Sequence, residues 1–196
     1  MEKLIWKAGT MIYPLPAVMV SCGSNPDEYN IITVAWTGTV CSDPPMCYIS
    51  IRPSRYSYDI IKRNGEFVIN LTSEELARAT DWCGVKSGRD HNKFREMQLT
   101  PVPGHKVQAP AIGESPVNIE CSVSKIIELG IHHMFLAEVL AIQADKKYLN
   151  RQTGALRLDK ALLISYQHGK YYKTGEFIGK FGYSVKKKKK RRSGKK

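Results

Sequence analysis

Two hydroxyl groups and two guanidinium groups stand close together just after an apolar stretch of this sequence. Arg52, Ser54, Arg55 and Ser57 lie within six residues, and an amphipathic run follows them. The first turn of a helix leaves N–H groups unpaired and carries a partial positive charge. Hydroxyl and guanidinium donors at such a turn can bind a phosphate group. The serines could instead only cap the helix, and these residues alone leave both interpretations open.

The segments around these donors predict strands and one helix. Runs rich in Ile, Val and Thr predict strands at 31–40, 46–51 and 67–71. A further strand at 17–22 is followed by strong turn residues, which predicts a hairpin with the strand at 31–40. The amphipathic run predicts a helix over 58–64 that ends at Gly65. The donors would therefore lie between a strand and a helix.

The second half of the chain predicts another helix and a long antiparallel pair. Thr72 and Glu75 have the spacing of a capping box, for a helix that ends near Cys83. A polar loop over 85–94 follows, with a one-turn helix starting at Asp90. Alternating apolar residues predict two long strands over 117–129 and 134–144. Residues 99–115 predict a crossing loop, and 161–166 a last short strand.

In order and spacing, these pieces resemble the flavin reductase-like family of FMN-binding split barrels, and most closely its flavoredoxin-like branch. The motifs that carry the resemblance are Asn30-x-x-Thr33-x-x-Trp36, Asp43-Pro44-Pro45, Ser50-Ile51-Arg52-x-Ser54-Arg55-x-Ser57 and Gly65-x-Phe67-x-x-Asn70. A later segment matches with one departure, since Ala137 stands where the family usually has glycine. The resemblance implies a mainly β fold, an antiparallel, Greek-key-like β-barrel with flanking helices, in one domain over residues 1–185.

The resemblance also implies a set of cofactor contacts. The FMN phosphate would lie near Arg52, Ser54, Arg55 and Ser57, and the isoalloxazine ring near residues 33–36. The implied set is Asn30, Thr33, Val34, Ala35, Trp36, Ser50, Ile51, Arg52, Ser54, Arg55, Ser57, Asn70, Leu71, Thr80, Asp81, Cys83, Ser87, Gly88 and Lys93. His132 would contact the flavin edge or a nicotinamide substrate, or would make only a structural hydrogen bond. Trp36 could be core or a stacking partner, and Cys83 a redox group or a packed thiol.

The function that the resemblance implies is an NAD(P)H-dependent flavin reductase or flavoredoxin. FMN would take a hydride from NADH or NADPH and pass electrons to a small molecule or a redox protein. No side chain is expected to act as a catalytic acid or base, and backbone N–H groups near Ala35 or Ser50 would stabilise the reduced ring. The alternative is a non-catalytic FMN carrier or electron-transfer protein without a nicotinamide site. A homodimer is expected, with residues 168–175 packing across it.

Composition argues against several other classes of protein. The formal charge is +12, but residues 186–196 contain nine of the basic residues and no acid, which leaves +3 for the rest. Such a block predicts a disordered basic tail that is solvated or touches nucleic acid or an anionic membrane, and no motif for specific nucleic-acid reading precedes it. Five cysteines without a CxxC pair favour neither a disulfide framework nor a standard zinc site. No apolar run is long enough for a membrane span, so a cytoplasmic protein is expected. No bound metal is expected.

Overall fold

The computed structural model describes residues 1–185, and the predicted basic tail lies outside these described residues. The described strands are β1 Leu15–Pro16, β2 Val18–Cys22, β3 Asn30–Val34, β4 Thr37–Ser42, β5 Pro45–Ile51, β6 Glu66–Leu71, β7 Pro101–Val102, β8 Ala111–Ile112, β9 Val117–Leu129, β10 His132–Ala144, β11 Ile164–Gln167 and β12 Lys170–Lys173. The described α-helices are α1 Tyr56–Asn64, α2 Ala77–Val85 and α3 Lys93–Glu96. The chain is therefore mainly β, as the resemblance predicted.

Seven strands form the main sheet, in the order β3-β2-β6-β9-β10-β5-β4, and every neighbouring pair is antiparallel. The two outermost strands, β3 and β4, are consecutive along the chain and are joined only by Ala35 and Trp36. A link of two residues spans only about 10 Å, so the two ends of the sheet must meet there. The sheet consequently curls into a barrel whose seam lies at Ala35 and Trp36. The predicted hairpin β2–β3 and the long pair β9–β10 are both present.

Alternation along the strands separates an inner core from an outer one. In β2, Val18 and Val20 point into the barrel, where they join a buried cluster that includes Phe67 and Phe135. Met19 points outward and packs in a second cluster with residues of α2 and α3. Successive side chains of a strand face opposite sides, and all five residues of β2 are buried, so both faces of this strand are covered. Helices α2 and α3 therefore cover the barrel wall on the side of β2 and β3.

Helix α1 directly follows the cluster of hydroxyl and guanidinium groups. Its buried residues, Ser57, Tyr58, Ile60 and Ile61, lie on one face at helical spacing. The helix ends at Gly65, which has φ of 70° and donates its N–H to the Ile61 carbonyl. Glycine adopts this left-handed conformation without steric cost, so the predicted helix end is confirmed.

Three predictions of local structure are wrong. The single strand over 31–40 is broken at Ala35 and Trp36, because barrel closure requires the chain to change strands there. Thr72 does not cap a helix, since its hydroxyl donates to the Ala17 carbonyl. The one-turn helix begins at Lys93 rather than at Asp90, and the Asn92 side chain accepts from the Arg95 N–H at its start.

A buried carboxylate ties the crossing loop to the barrel. Glu120 of β9 is fully buried and accepts N–H groups of His105 at 2.9 Å, Lys106 at 2.5 Å and Val107 at 3.2 Å. The Gln143 amide donates to the same carboxylate at 2.8 Å. Burial alone would raise the pKa of Glu120, but these four donors outweigh it and the pKa is lowered. The carboxylate thus replaces the backbone partners that this irregular loop lacks.

A C-terminal hairpin, β11 and β12, pairs with β1 in a separate three-stranded sheet. The predicted strand over 161–166 is therefore real but begins later, at Ile164. Among residues 1–185, no helix is both long and apolar enough to cross a lipid bilayer.

Candidate functional site

A large cavity, with a volume of about 420 Å³, lies at the seam of the barrel. Its floor comes from the ends of β3 and β5, and the link Ala35–Trp36 crosses it. The end of α2 and the C-terminal hairpin form further parts of its wall. The lining residues are Ala17, Ile32, Thr33, Val34, Ala35, Trp36, Ser50, Ile51, Arg52, Arg55, Asp81, Gly84, Val85, His132, Tyr166 and Tyr171. A volume of this size and a partly apolar lining suit an aromatic ligand.

One wall of this cavity is a stack of flat side chains. The indole ring of Trp36 lies nearly parallel to the His132 ring, with 6.3 Å between centroids and 12° between planes. Arg52 Nε lies 3.5 Å from His132 Nε2. Burial, together with the positive charges of Arg52 and Arg55, lowers the pKa of His132. The ring is therefore mainly neutral at pH 7 and can accept a hydrogen bond.

The C-terminal hairpin contributes two further aromatic side chains to this cavity. Tyr166 and Tyr171 meet edge to face, with ring centroids 5.8 Å apart. Burial and the neighbouring Asp81 carboxylate raise the pKa of Tyr171 to about 12. The phenol therefore stays protonated and can donate a hydrogen bond at any physiological pH.

A second, smaller cavity of about 130 Å³ adjoins the first, and Ile32, Arg55 and Gly84 line both. Its other lining residues are Asn30, Ser54, Tyr56, Ser57, Cys83, Lys86, Ser87, Gly88, Arg89 and Lys93. Four cationic residues and three serines thus line one small volume, and no carboxylate of residues 1–185 lines it. This set of donors is the chemistry of an anion site.

Lys93 is the most unusual of the four cations because only 3% of it is exposed. Its Nζ donates to the carbonyls of Ile31 and Cys83, each at 2.7 Å. Burial lowers the pKa of Lys93 to about 8, and the charge of Arg55 adds to this effect. Two carbonyl oxygens cannot neutralise the ammonium, so a bound anion would stabilise its charged form.

The serines of this corner are not capping residues. Arg55 occupies the N-cap position of α1, and no side chain accepts a hydrogen bond from the first turn. Ser57 is buried and accepts instead from the Asn30 amide at 2.7 Å. The interpretation of these hydroxyls as helix caps is therefore wrong.

The sequence model of one protein family, described as the flavin reductase like domain, matches residues 10–175 of this chain. The chain belongs to the flavin reductase-like family. A protein of the archaeon Pyrococcus abyssi is 36% identical over 131 residues, which are 67% of this chain and 74% of that relative.

Two solved structures that are similar to this chain are flavoredoxins. The flavoredoxin of Desulfovibrio vulgaris (Miyazaki F) is 34% identical, with a TM-score of 0.86 over 95% of this chain and all of that one. The flavoredoxin of Methanosarcina acetivorans is 25% identical, with a TM-score of 0.84 over the same shares. The predicted family, its flavoredoxin-like resemblance and its split-barrel fold are confirmed.

Most residues that the family resemblance predicted as cofactor contacts line one of the two cavities. Three do not: Asn70, Leu71 and Thr80. Asn70 is fully buried and its amide donates to Met19 O and Ser21 Oγ. Thr80 is also fully buried, and its carbonyl accepts from Thr33. None of these three residues faces either cavity.

The structure refines three other predicted roles. Arg52 lines the large cavity beside His132, whereas Ser54, Arg55 and Ser57 reach the small one. The Ser50 N–H is not free to stabilise a ligand, because it donates to the Trp36 carbonyl at 2.8 Å. Burial raises the pKa of Cys83 to about 11, which favours a packed thiol over a reactive thiolate.

Sequence reasoning missed the aromatic wall and part of the cationic cavity. Tyr171 belongs to the segment 168–175 that was expected to pack across a dimer, and neither it nor Tyr166 was expected at the cavity, because only the topology brings them to the seam. Lys86 and Arg89 flank the recognised pair Ser87-Gly88, so a count of basic residues in that loop could have found them.

Proposed function

We propose that this protein binds FMN and uses it as an NAD(P)H-dependent flavin reductase that passes electrons to a further acceptor. The observation that carries the proposal is the adjoining pair of cavities. One is wide and walled by flat side chains, and the other is small, cationic and free of carboxylates. A planar ring joined by a short polar chain to a terminal phosphate has this distribution of size and charge. The names of the flavoredoxin relatives support the same ligand.

The residues present fit such a group. Ile32 and Val34 offer apolar contact for a ring, and Trp36 and His132 offer a flat surface beside it. Arg55 lines both cavities and is therefore placed to contact the phosphate end without leaving the ring cavity. Flavins supply hydride and single-electron chemistry when bound, so the protein needs only to position the ring and tune its charge. The neutral His132 and the protonated Tyr171 can orient a second ligand without exchanging protons.

The test is a spectrum of the purified protein followed by mixing with NADH or NADPH. We expect uptake of one FMN per chain, with a yellow absorbance band, and bleaching of that band within seconds of NADH or NADPH addition under anaerobic conditions. A protein that takes up no FMN would contradict the whole proposal. Uptake of FMN with bleaching by dithionite but not by either nicotinamide would leave a flavin carrier or electron-transfer protein. The homodimer is part of this proposal, and light scattering on the same sample measures it.

FMN binding is expected to take up a proton above pH 8. Lys93 has a pKa of about 8 before binding, so it is mainly neutral at pH 9, and a phosphate dianion beside it favours the ammonium form. The affinity should therefore fall as pH rises from 8 to 10. Calorimetry at pH 9 in two buffers of different ionisation enthalpy measures the proton directly.

The control for this prediction is the variant Lys93→Met, which cannot titrate. It should bind FMN more weakly and show no dependence of the binding enthalpy on the buffer at pH 9. Wild-type protein whose binding enthalpy is the same in both buffers would show that Lys93 does not change its protonation state.

A further inference from the structure

Residues 177–185, which follow the C-terminal hairpin, expose most of their apolar surface, and we refer to them as the apolar segment. Its large apolar side chains are all exposed: Phe177, Ile178, Phe181, Tyr183 and Val185. Phe177 is 78% exposed, Ile178 is 88% exposed and Phe181 is fully exposed. Single apolar residues on a surface are ordinary, but a dense group of them marks an interaction site.

The apolar segment folds on itself rather than on the barrel. Within residues 1–185, the Tyr183 N–H donates to the Lys180 carbonyl at 2.9 Å. The Val185 N–H donates to the Gly182 carbonyl at 3.3 Å. The Tyr183 ring packs on Gly179, where an added Cβ atom would lie 2.8 Å from the ring. None of these residues belongs to a buried cluster, so the apolar side chains gain little burial from the body of the protein.

A block of basic residues follows the apolar segment directly in the sequence. Residues 177–196 contain ten Lys or Arg and no Asp or Glu. A bilayer that contains anionic lipid attracts such a block, and each Lys or Arg near the surface adds to the affinity. The attraction acts within a Debye length, which is about 8 Å at physiological salt. Apolar side chains beside the block can then enter the boundary between the headgroups and the acyl chains.

The chemistry of the apolar side chains favours a bilayer over a nucleic acid. Nucleic acids also attract Lys and Arg, and aromatic rings can stack on unpaired bases. Ile178 and Val185 have no aromatic face, so stacking gives them nothing, whereas both gain free energy when they enter hydrocarbon. Tyr183 has an apolar ring and a polar hydroxyl, the combination that is enriched at bilayer interfaces.

We propose that residues 177–196 bind the surface of a bilayer that contains anionic phospholipid. The apolar segment inserts among the lipids, and the basic block binds their headgroups. Both parts are needed, because one weak anchor alone gives only marginal and reversible attachment. The inference does not depend on the flavin, so it stands or falls separately from the proposed function.

The test is sedimentation of the whole 196-residue chain with vesicles of phosphatidylcholine, with and without phosphatidylserine. We expect binding to the vesicles that contain phosphatidylserine and little binding to the neutral ones. The affinity should fall at least about tenfold when the salt concentration is raised to about 1 M, where the Debye length is about 3 Å. No binding to either kind of vesicle would overturn the inference.

The double variant Phe177→Ser, Phe181→Ser tests the apolar segment. Its affinity for the anionic vesicles should fall at least about tenfold, because two exposed phenyl rings no longer enter the bilayer. The control is Ile131→Ser in the turn between β9 and β10, where the side chain is 68% exposed and distant along the chain from the basic block. Its affinity should stay within about twofold of wild type. Circular dichroism on each variant checks that the fold is kept.

The variant K186Q/K187Q/K188Q/K189Q/K190Q tests the basic block. It should lose at least about tenfold in affinity for the anionic vesicles and most of the salt dependence. Undiminished vesicle binding by the double phenylalanine variant would overturn the inference, since charge alone would then act. Tighter binding to single-stranded RNA than to vesicles would assign the segment to nucleic acid instead. A double variant that loses its oligomeric state in light scattering but keeps its vesicle affinity would assign the apolar segment to a second copy of the chain.

Discussion

Replacement of Arg55 by alanine is expected to weaken FMN binding about 100-fold, because a charge-assisted hydrogen bond to a phosphate contributes up to about 3 kcal/mol. Arg55 lines both cavities and stands at the N-cap of α1, beside the unpaired N–H groups of its first turn. Riboflavin has the same ring but no phosphate, so its affinity should change only a few-fold. Titration of both ligands into wild-type protein and Arg55→Ala measures the difference.

The matched control for Arg55→Ala is Arg63→Ala, on the same helix. Arg63 is exposed, forms an ion pair with Glu28 and lines neither cavity. Its replacement should leave both affinities within about twofold of wild type, since exposed ion pairs contribute little. If riboflavin and FMN were weakened equally by Arg55→Ala, then Arg55 would act on the ring cavity and the phosphate would have to lie elsewhere.

Glu120→Ala is expected to lower the free energy of unfolding by about 3–5 kcal/mol, because several donors lose a charged acceptor and a hydrogen bond to a charged group contributes about 1.5–3 kcal/mol. The change leaves the N–H groups of residues 105–107 and the Gln143 amide without this acceptor, and the N–H group of Val107 is buried. Urea unfolding followed by circular dichroism measures the effect. Glu138→Ala, at an exposed position of β10, is the control and should change stability by no more than about 0.5 kcal/mol.

The contribution of Glu120 should also depend on pH with a defined sign. The folded-state pKa of Glu120 is lowered from its ordinary value of 4.5, so its contribution is fully present above that value. It is lost as pH falls through the lowered folded-state pKa. Wild-type protein and Glu120→Ala should therefore become similar in stability at the acid end of the range. A constant difference down to the lowest pH would show that the carboxylate charge is not what stabilises the loop.

The sequence predicted those parts of the candidate site that are built from neighbouring segments of the chain. The motif around Ser54 and Arg55 predicted a cluster of donors between a strand and a helix, and the structure places that cluster beside a cationic cavity. Such a cluster needs only the strand, the turn and α1, which are neighbours along the chain. The same motif order predicted the family, because it reflects the spacing of successive elements.

The features that sequence reasoning missed depend on contacts between distant segments. Trp36 and the flanking Val34 and Thr37 have strong strand propensity, and only closure of the barrel interrupts the strand at Ala35 and Trp36. Thr72 has a suitable spacing from Glu75 for a helix cap, but its hydroxyl group donates a hydrogen bond to the Ala17 carbonyl, 55 residues away. Tyr171 reaches the large cavity through the pairing of β1 with β11, which no local pattern indicates. Tertiary contacts thus override local preference at each of these positions.

The two-residue seam constrains how this protein could acquire new substrates. The backbone that closes the barrel is also the backbone beneath the large cavity, so a change at Ala35 or Trp36 would disturb stability and ligand contact together. The C-terminal hairpin belongs to a different sheet and lines the same cavity through Tyr166 and Tyr171. Substitutions in the hairpin can therefore reshape this part of the cavity while the barrel stays intact. Diversification within this scaffold should accordingly concentrate in the hairpin, with the seam held nearly constant.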